Sequence, residues 1–166
     1  MTMGNNEYVI DSKILSKIDN IRKKFPVKEN KSSIIESLLI LQHENDGYIT
    51  KNIISALAKY LHINEIDIYE VATFYSMINT KVVGKNIISV CNNVSCMLKG
   101  SDEIILHLEN ELGIKRGHST KDNIFFLKDE IECLAACNGA PMMQINHKNY
   151  ENLTIEKVDK ILKDFK

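Results

Sequence analysis

The chain is 166 residues long, enough for one ordinary domain or two small ones, and its 21 Lys/Arg against 22 Asp/Glu leave a net charge of −1. The halves are as balanced as the whole, with ten cations and ten anions in residues 1–84 and eleven and twelve in 85–166. Such a chain has no field to gather nucleic acid or anionic lipid, and with no apolar run of six residues it holds nothing close to the roughly twenty that a membrane helix needs.

Residues 1–7 contain neither a basic leader nor an apolar signal core, so the expectation is a cytoplasmic protein. From residue 9 to 25, Val9, Ile10, Ile14, Leu15, Ile18, Ile21 and Phe25 recur at helical spacing, and Pro26 ends the run. The basic Arg22-Lys23-Lys24 reads as a solvated helix end, where cations offset the macrodipole. Ser33 and Glu36 have the spacing of a capping box and open a helix with Ile34, Ile35, Leu38, Leu39 and Leu41 inward, which stops near Gly47. Thr50 caps the next helix, over Ile53, Ile54, Leu57, Ala58 and Leu61. Asn64 caps another, through Ile66, Tyr69, Val71, Phe74 and Met77, whose apolar groups go most of the way round and predict a helix sandwiched between neighbours. Phe74 is placed in its core, and at least one of Tyr69 and Tyr75 at the surface. Consecutive short helices also suit a DNA-binding motif, which the charge balance argues against.

A linker over residues 80–85 separates this small helical bundle, residues 1–83, from a second domain, residues 84–166. Asn86 to Val90 reads as a strand. Ser101 caps a helix with Ile104, Ile105, Leu108 and Leu112 inward, and Gly113 closes it. Residues 115–123 are a polar loop; Ile124 to Leu127 and Ile131 to Cys133 read as strand. Met142 to Ile145 and the Lys148 to Tyr150 stretch make a hairpin around Asn146-His147, and Thr154 begins a closing helix with Ile155, Val158, Ile161, Leu162 and Phe165. The whole is an α+β chain, helical bundle first and layered α/β domain second.

All four cysteines fall in two places at strand ends, Cys91 and Cys96 as C-x4-C and Cys133 and Cys137 as C-x3-C. Disulfides suit small exported scaffolds, whereas intracellular thiols are kept reduced. Structural zinc takes four thiolates tetrahedrally from pairs a few residues apart, which would make a zinc-stabilised interaction module without a redox role. A [2Fe-2S] cluster asks for two thiolates on each iron, a demand that two short loops also meet. Around the cysteines Asn92, Asn93, Ser95, Asn138 and Gly139 are small enough to leave backbone N–H groups for sulfur, the kind of contact that tunes a reduction potential.

The loops Cys91-Asn92-Asn93-Val94-Ser95-Cys96-Met97-Leu98-Lys99-Gly100 and Cys133-Leu134-Ala135-Ala136-Cys137-Asn138-Gly139-Ala140-Pro141-Met142 resemble those of the thioredoxin-like [2Fe-2S] ferredoxin family. Tyr69-Glu70-Val71-Ala72-Thr73-Phe74-Tyr75-Ser76-Met77 is similar to the family's N-terminal helical signature, and the resemblance spans nearly the whole chain. The family includes the 24-kilodalton subunit of respiratory NADH dehydrogenase and small subunits of NAD(P)-linked hydrogenases, some of them electron-bifurcating, and formate dehydrogenases. It implies a thioredoxin-like C-terminal domain, one [2Fe-2S] cluster held by Cys91, Cys96, Cys133 and Cys137, and a helical domain that docks a partner carrying FMN and NAD(P). Ala135 and Asn138 stand where the family often has glycine, a departure that bears on the loop and the potential rather than on ligation.

No G-x-G-x-x-G, P-loop, H-E-x-x-H or nucleophile triad is present. The expectation is therefore an electron-transfer subunit without a complete active site, its hydride chemistry left to a partner. His43, His62, His107, His118 and His147 are scattered and read as surface or satisfied histidines. Met142-Met143 reads equally as a cluster shield or as strand core, and Glu130 and Glu132 as a solvated strand edge.

Overall fold

The computed structural model describes residues 8–129 and 131–165; the leader reading at residues 1–7 and that of Glu130 lie outside them. The chain divides into two compact units at Val82/Val83.

In the first unit, α1 (Ser12–Arg22) begins where the Asp11 carboxylate accepts the Lys13 N–H at 2.7 Å. It ends three residues before the predicted Phe25, in a turn whose Lys24 and Phe25 amides reach back to Ile21 and Arg22. The proline ring of Pro26 disfavours helical backbone at the residue before it, which explains the early stop. The capping box is not formed. Ser33 lies in a 3-10 turn, Asn30–Ser33, and its hydroxyl donates to the Asn30 carbonyl at 2.8 Å, while Glu36 pairs with Lys24. That turn already supplies the entry to α2 (Ile34–Glu44). Thr50 does cap α3 (Lys51–Leu61), accepting the Ile53 N–H at 3.2 Å. Ile18, Leu38, Leu41, Ile53, Leu57, Leu61 and Ile68 form the core of the unit.

The sandwich expected around α4 (Glu65–Phe74) is not there. Ile68 and Ala72 alone are buried along it, against α2 and α3, and Phe74, placed in the core by the sequence reading, is 80% exposed. Tyr69 is at the surface, as expected. The chain leaving α4 is held by an amide network that hydropathy could not disclose. Gln42 accepts the Asn79 N–H at 2.6 Å and donates to the Met77 carbonyl, and Asn79 donates to the Gly47 carbonyl.

The second unit is built on a five-stranded sheet in the order β2-β3-β1-β4-β5. Its centre is β1 (Asn86–Val90), parallel to β3 (Phe125–Leu127) and antiparallel to β4 (Met143–Ile145). β2 (His118–Ser119), within the predicted loop, edges β3, and β5 (Lys148–Tyr150) follows β4 through the expected turn, with Asn146 and His147 both at positive φ. The Asn146 side chain ties that turn to β1, accepting the Ile87 N–H at 2.9 Å. Gly84 is required at the entry to β1, since a Cβ there would fall 2.5 Å from the Phe125 carbonyl carbon.

A single turn, α5 (Val94–Met97), leads into α6 (Ser101–Leu112), and α7 (Ile155–Lys163) closes the chain from its Thr154 cap. Ile88, Ile104, Leu108, Leu127, Met143, Ile145, Val158 and Leu162 form one core between helices and sheet. Gly113 ends α6 in left-handed backbone, as expected. Ser101, however, is not its cap. Gly100 takes that position, and the buried Ser101 hydroxyl has no partner among the described residues. Nor do Ile131 to Cys133 form a strand: Lys128 is the last of the stretch bonded to β1, and residues 131–134 have no regular structure. No helix among the described residues is long and apolar enough to cross a membrane.

Candidate metal centre

β1 ends at Val90 and delivers Cys91, whose N–H donates to the Met142 carbonyl at 3.1 Å. The single turn of α5 then carries Cys96 back beside it. Both thiols are buried, at 2% and 1% exposure, packed with Met142, Leu134, Ala136 and Ala140 and hydrogen-bonded to each other. Burial raises the Cys91 thiol, but backbone N–H groups of Leu134 and Asn93, the Cys96 thiol and the Asn93 side chain outweigh it, so its pKa lies below the ordinary value. Burial pushes Cys96 up, and Cys91 and Cys137 push the same way against an N–H from Met142.

The second loop meets the first where Leu134 and Ala136 pack against the buried thiols, and the Leu134 amide is among the groups that lower the Cys91 thiol. Cys133 and Cys137 themselves are exposed, and no disulfide joins any of the four. Cys137 opens a 3-10 turn, Cys137–Gly139, anchored where the Gly139 carbonyl accepts the Asn152 N–H at 2.6 Å. Gly139 is needed at that anchor because a Cβ would run into the Glu151 side chain. The Ala140–Pro141 peptide is cis. Ala135 sits at φ +56°, the left-handed backbone in which glycine is at ease.

Among the described residues, no three His, Cys, Asp or Glu side chains stand close enough together to hold a metal ion. A two-iron cluster asks less, two thiolates on each iron rather than one tight group of four. The donor set fits it: one buried thiol pair, one exposed pair, and backbone amides that favour charge on the buried sulfurs. Of the small residues expected to serve sulfur, Asn93 does so, while the Gly139 N–H is spent on the Ala136 carbonyl. The Leu134 amide escaped sequence reasoning, since a backbone donor leaves no mark in residue type.

The methionine pair divides its two roles. Met142 packs against the buried thiols, and Met143 belongs to the sheet core. His107 pairs with Asp159 at 2.6 Å and His118 contacts the Arg116 carbonyl. Glu132 is exposed, as expected, but near Lys128, whose pKa is lowered by burial against the opposing pull of Glu132 and Asp129. That half-buried cation at the strand end had no signal in a run of mixed charges.

A mixed sheet flanked by helices, with one thiol pair at the end of its central strand and a second in a loop that packs against the first, is a fold and a donor set that suit a metal-cluster protein. The chain belongs to the thioredoxin-like [2Fe-2S] ferredoxin family, whose pattern it matches over residues 18–166, as the cysteine loops led us to expect. It is 42% identical over 161 residues to an NADH-quinone oxidoreductase subunit of Rickettsia felis, covering 97% of this chain and 96% of that one. The corresponding protein of Rickettsia bellii is 44% identical over 155 residues, with 93% and 92% covered. The mitochondrial NADH dehydrogenase (ubiquinone) flavoprotein 2 of Dictyostelium discoideum is 39% identical, covering 99% of this chain and 68% of its own. An NAD+-reducing [NiFe]-hydrogenase structure shares the fold at a TM-score of 0.66 and 19% identity over 77% of this chain, which spans 22% of that chain.

Proposed function

We propose that this chain is the small [2Fe-2S] electron-transfer subunit of an NADH-linked oxidoreductase, and that Cys91 and Cys96 hold one iron while Cys133 and Cys137 hold the other. The observation that supports the ligand assignment is the packing of Leu134 and Ala136, from between Cys133 and Cys137, against the buried Cys91 and Cys96, which brings the two cysteine loops to one place. When bound, the cluster accepts and passes on one electron at a time. The chain's own residues bury Cys91 and Cys96, offset thiolate charge with amide dipoles, and exclude water through Met142.

The host is a respiratory NADH-quinone oxidoreductase, a reading supported by the full-length likeness to subunits of that enzyme in two Rickettsia species. NAD(P) and FMN belong to a partner subunit, the helical unit is the docking unit, and the chain works on the cytoplasmic side with no complete active site of its own. Family membership favours iron and sulfide over zinc at the thiols.

Chemical analysis of anaerobically prepared protein should recover about two iron and two sulfide ions per chain. Reduction should give a single one-electron paramagnetic centre by electron paramagnetic resonance. Each of Cys91→Ser, Cys96→Ser, Cys133→Ser and Cys137→Ser should diminish or remodel the visible spectrum. Zinc in place of iron overturns the electron-carrier reading, and an unaltered spectrum in any one variant overturns that ligand.

A further inference from the structure

The end of α4 forms an open cleft of about 500 Å³, lined by Glu70, Val71, Thr73, Phe74 and Tyr75 and mostly apolar. Phe74 stands in solvent with its ring edge-on to Tyr75, centroids 5.1 Å apart and planes at 79°. A lone exposed phenylalanine is unremarkable, but Ile66, Tyr69 and Met77 are exposed along the same segment. The charge at the cleft has one sign. Glu65 accepts from Ser55 and Asp67 pairs with Lys31, whereas Glu70 has no ion-pair partner among the described residues. Glu70 and Phe74 lie one helical turn apart, on one face. The last turn of α4 has no basic residue to offset the negative end of its dipole.

Two aromatic rings, an open carboxylate and a helix C-terminus together suit a flat cation with an apolar stem. A guanidinium stacks on rings and is more weakly hydrated than an ammonium, so arginine fits better than lysine. We propose that this cleft receives an arginine-bearing segment of the flavin-binding partner subunit, its guanidinium stacked on Phe74 and paired with the Glu70 carboxylate. The identity of the partner rests on the function proposed above; the cleft and its chemistry do not.

The test is the affinity of the full-length, cluster-loaded chain for the separately purified FMN-containing subunit of its own complex, at low and high salt. Phe74→Leu and Glu70→Lys should each weaken binding about tenfold or more, as loss of a central interface anchor does. Glu70→Gln should weaken it by about threefold and flatten its salt dependence. Phe74→Trp should bind as tightly as the native chain, since a larger ring strengthens a cation–ring contact where a leucine abolishes it. The visible spectrum should be the same in all four, which checks their folding. Native affinity in Phe74→Leu or Glu70→Lys overturns the proposal while leaving the partner reading intact. A native chain that binds no flavin subunit overturns both, and native self-association abolished by Phe74→Leu overturns the proposal by assigning the cleft to a second copy.

Discussion

Ala135 is the residue at which sequence and structure speak most directly to each other. The backbone here, at φ +56°, is the left-handed region in which glycine is at ease, the residue that the family resemblance led us to expect at this place. A residue with a Cβ held in left-handed backbone costs about 1 kcal/mol, and a β-branched one more. Ala135→Gly should therefore change stability little, because relief of strain is offset by the freer unfolded chain. Ala135→Val should lower it by roughly 1–2 kcal/mol and loosen the loop between Cys133 and Cys137. Thermal unfolding of the loaded protein, with iron content, checks both; a valine variant as stable and as iron-rich as the native chain would mean that the loop relaxes away from this conformation. The four thiols were legible because cysteine is scarce and its spacing is chemistry. The amide at Leu134 and the ammonium of Lys128 were not, since what matters in each is a position that only the fold supplies.

At the scale of elements, residue type announced helix caps with mixed success: Asn64, expected to cap α4, has extended backbone but its side chain makes no capping bond, and at the serines the reason is local geometry. Thr50 and Thr154 have extended backbone and accept the N–H three residues on. Ser33 and Ser101 have equally good side chains, but a preceding 3-10 turn and the left-handed Gly100 occupy the entry that each would have made. The two kinds of position should respond oppositely to alanine. Thr154→Ala loses a true cap and should cost about 1 kcal/mol. Ser101→Ala removes a buried hydroxyl that has no partner among the described residues, and should be neutral or stabilising by a few tenths to about 1 kcal/mol. Equilibrium denaturation of both variants separates the cases; a comparable loss in Ser101→Ala would show that its hydroxyl is bonded in solution. The faces of α4 were misjudged for a related reason. An all-round apolar helix predicts burial on all sides, and hydropathy cannot tell a neighbour in the same chain from one supplied by another.

For the molecule as a whole, strand and helix order was readable in the second unit because β1, β4, α6 and α7 each bury an unbroken apolar face. The irregular stretch leading into Cys133 was not, because a run such as Ile131-Glu132-Cys133 alternates like a strand, whereas the pairing of β3 with β1 stops at Leu127 and Ile88. On the opposite edge of β1 the pairing runs on, with Val90 matched to Met143 and the Cys91 N–H bonded to Met142. This leaves the two halves of the thiol site unequally held. Cys91 and Cys96 are buried between the sheet end and α5, and the amides of Leu98, Lys99 and Gly100 close that turn behind them. The loop carrying Cys133 and Cys137 is exposed and bonds chiefly to itself, through Gly139 to Ala136 and Ala140 to Cys137, before the Gly139 anchor to Asn152. Metal binding adds its free energy to whatever it holds together, and the loop has the least else to hold it. Removing iron by anaerobic chelation should therefore speed hydrogen exchange across residues 133–138 well before it touches β1 or α6, whose amides are protected by the sheet and core. Exchange read by mass spectrometry, loaded against stripped, gives the order of loss. If β1 opens together with the loop, the metal holds up the sheet itself, and the picture of a preformed scaffold with one loosely held half fails.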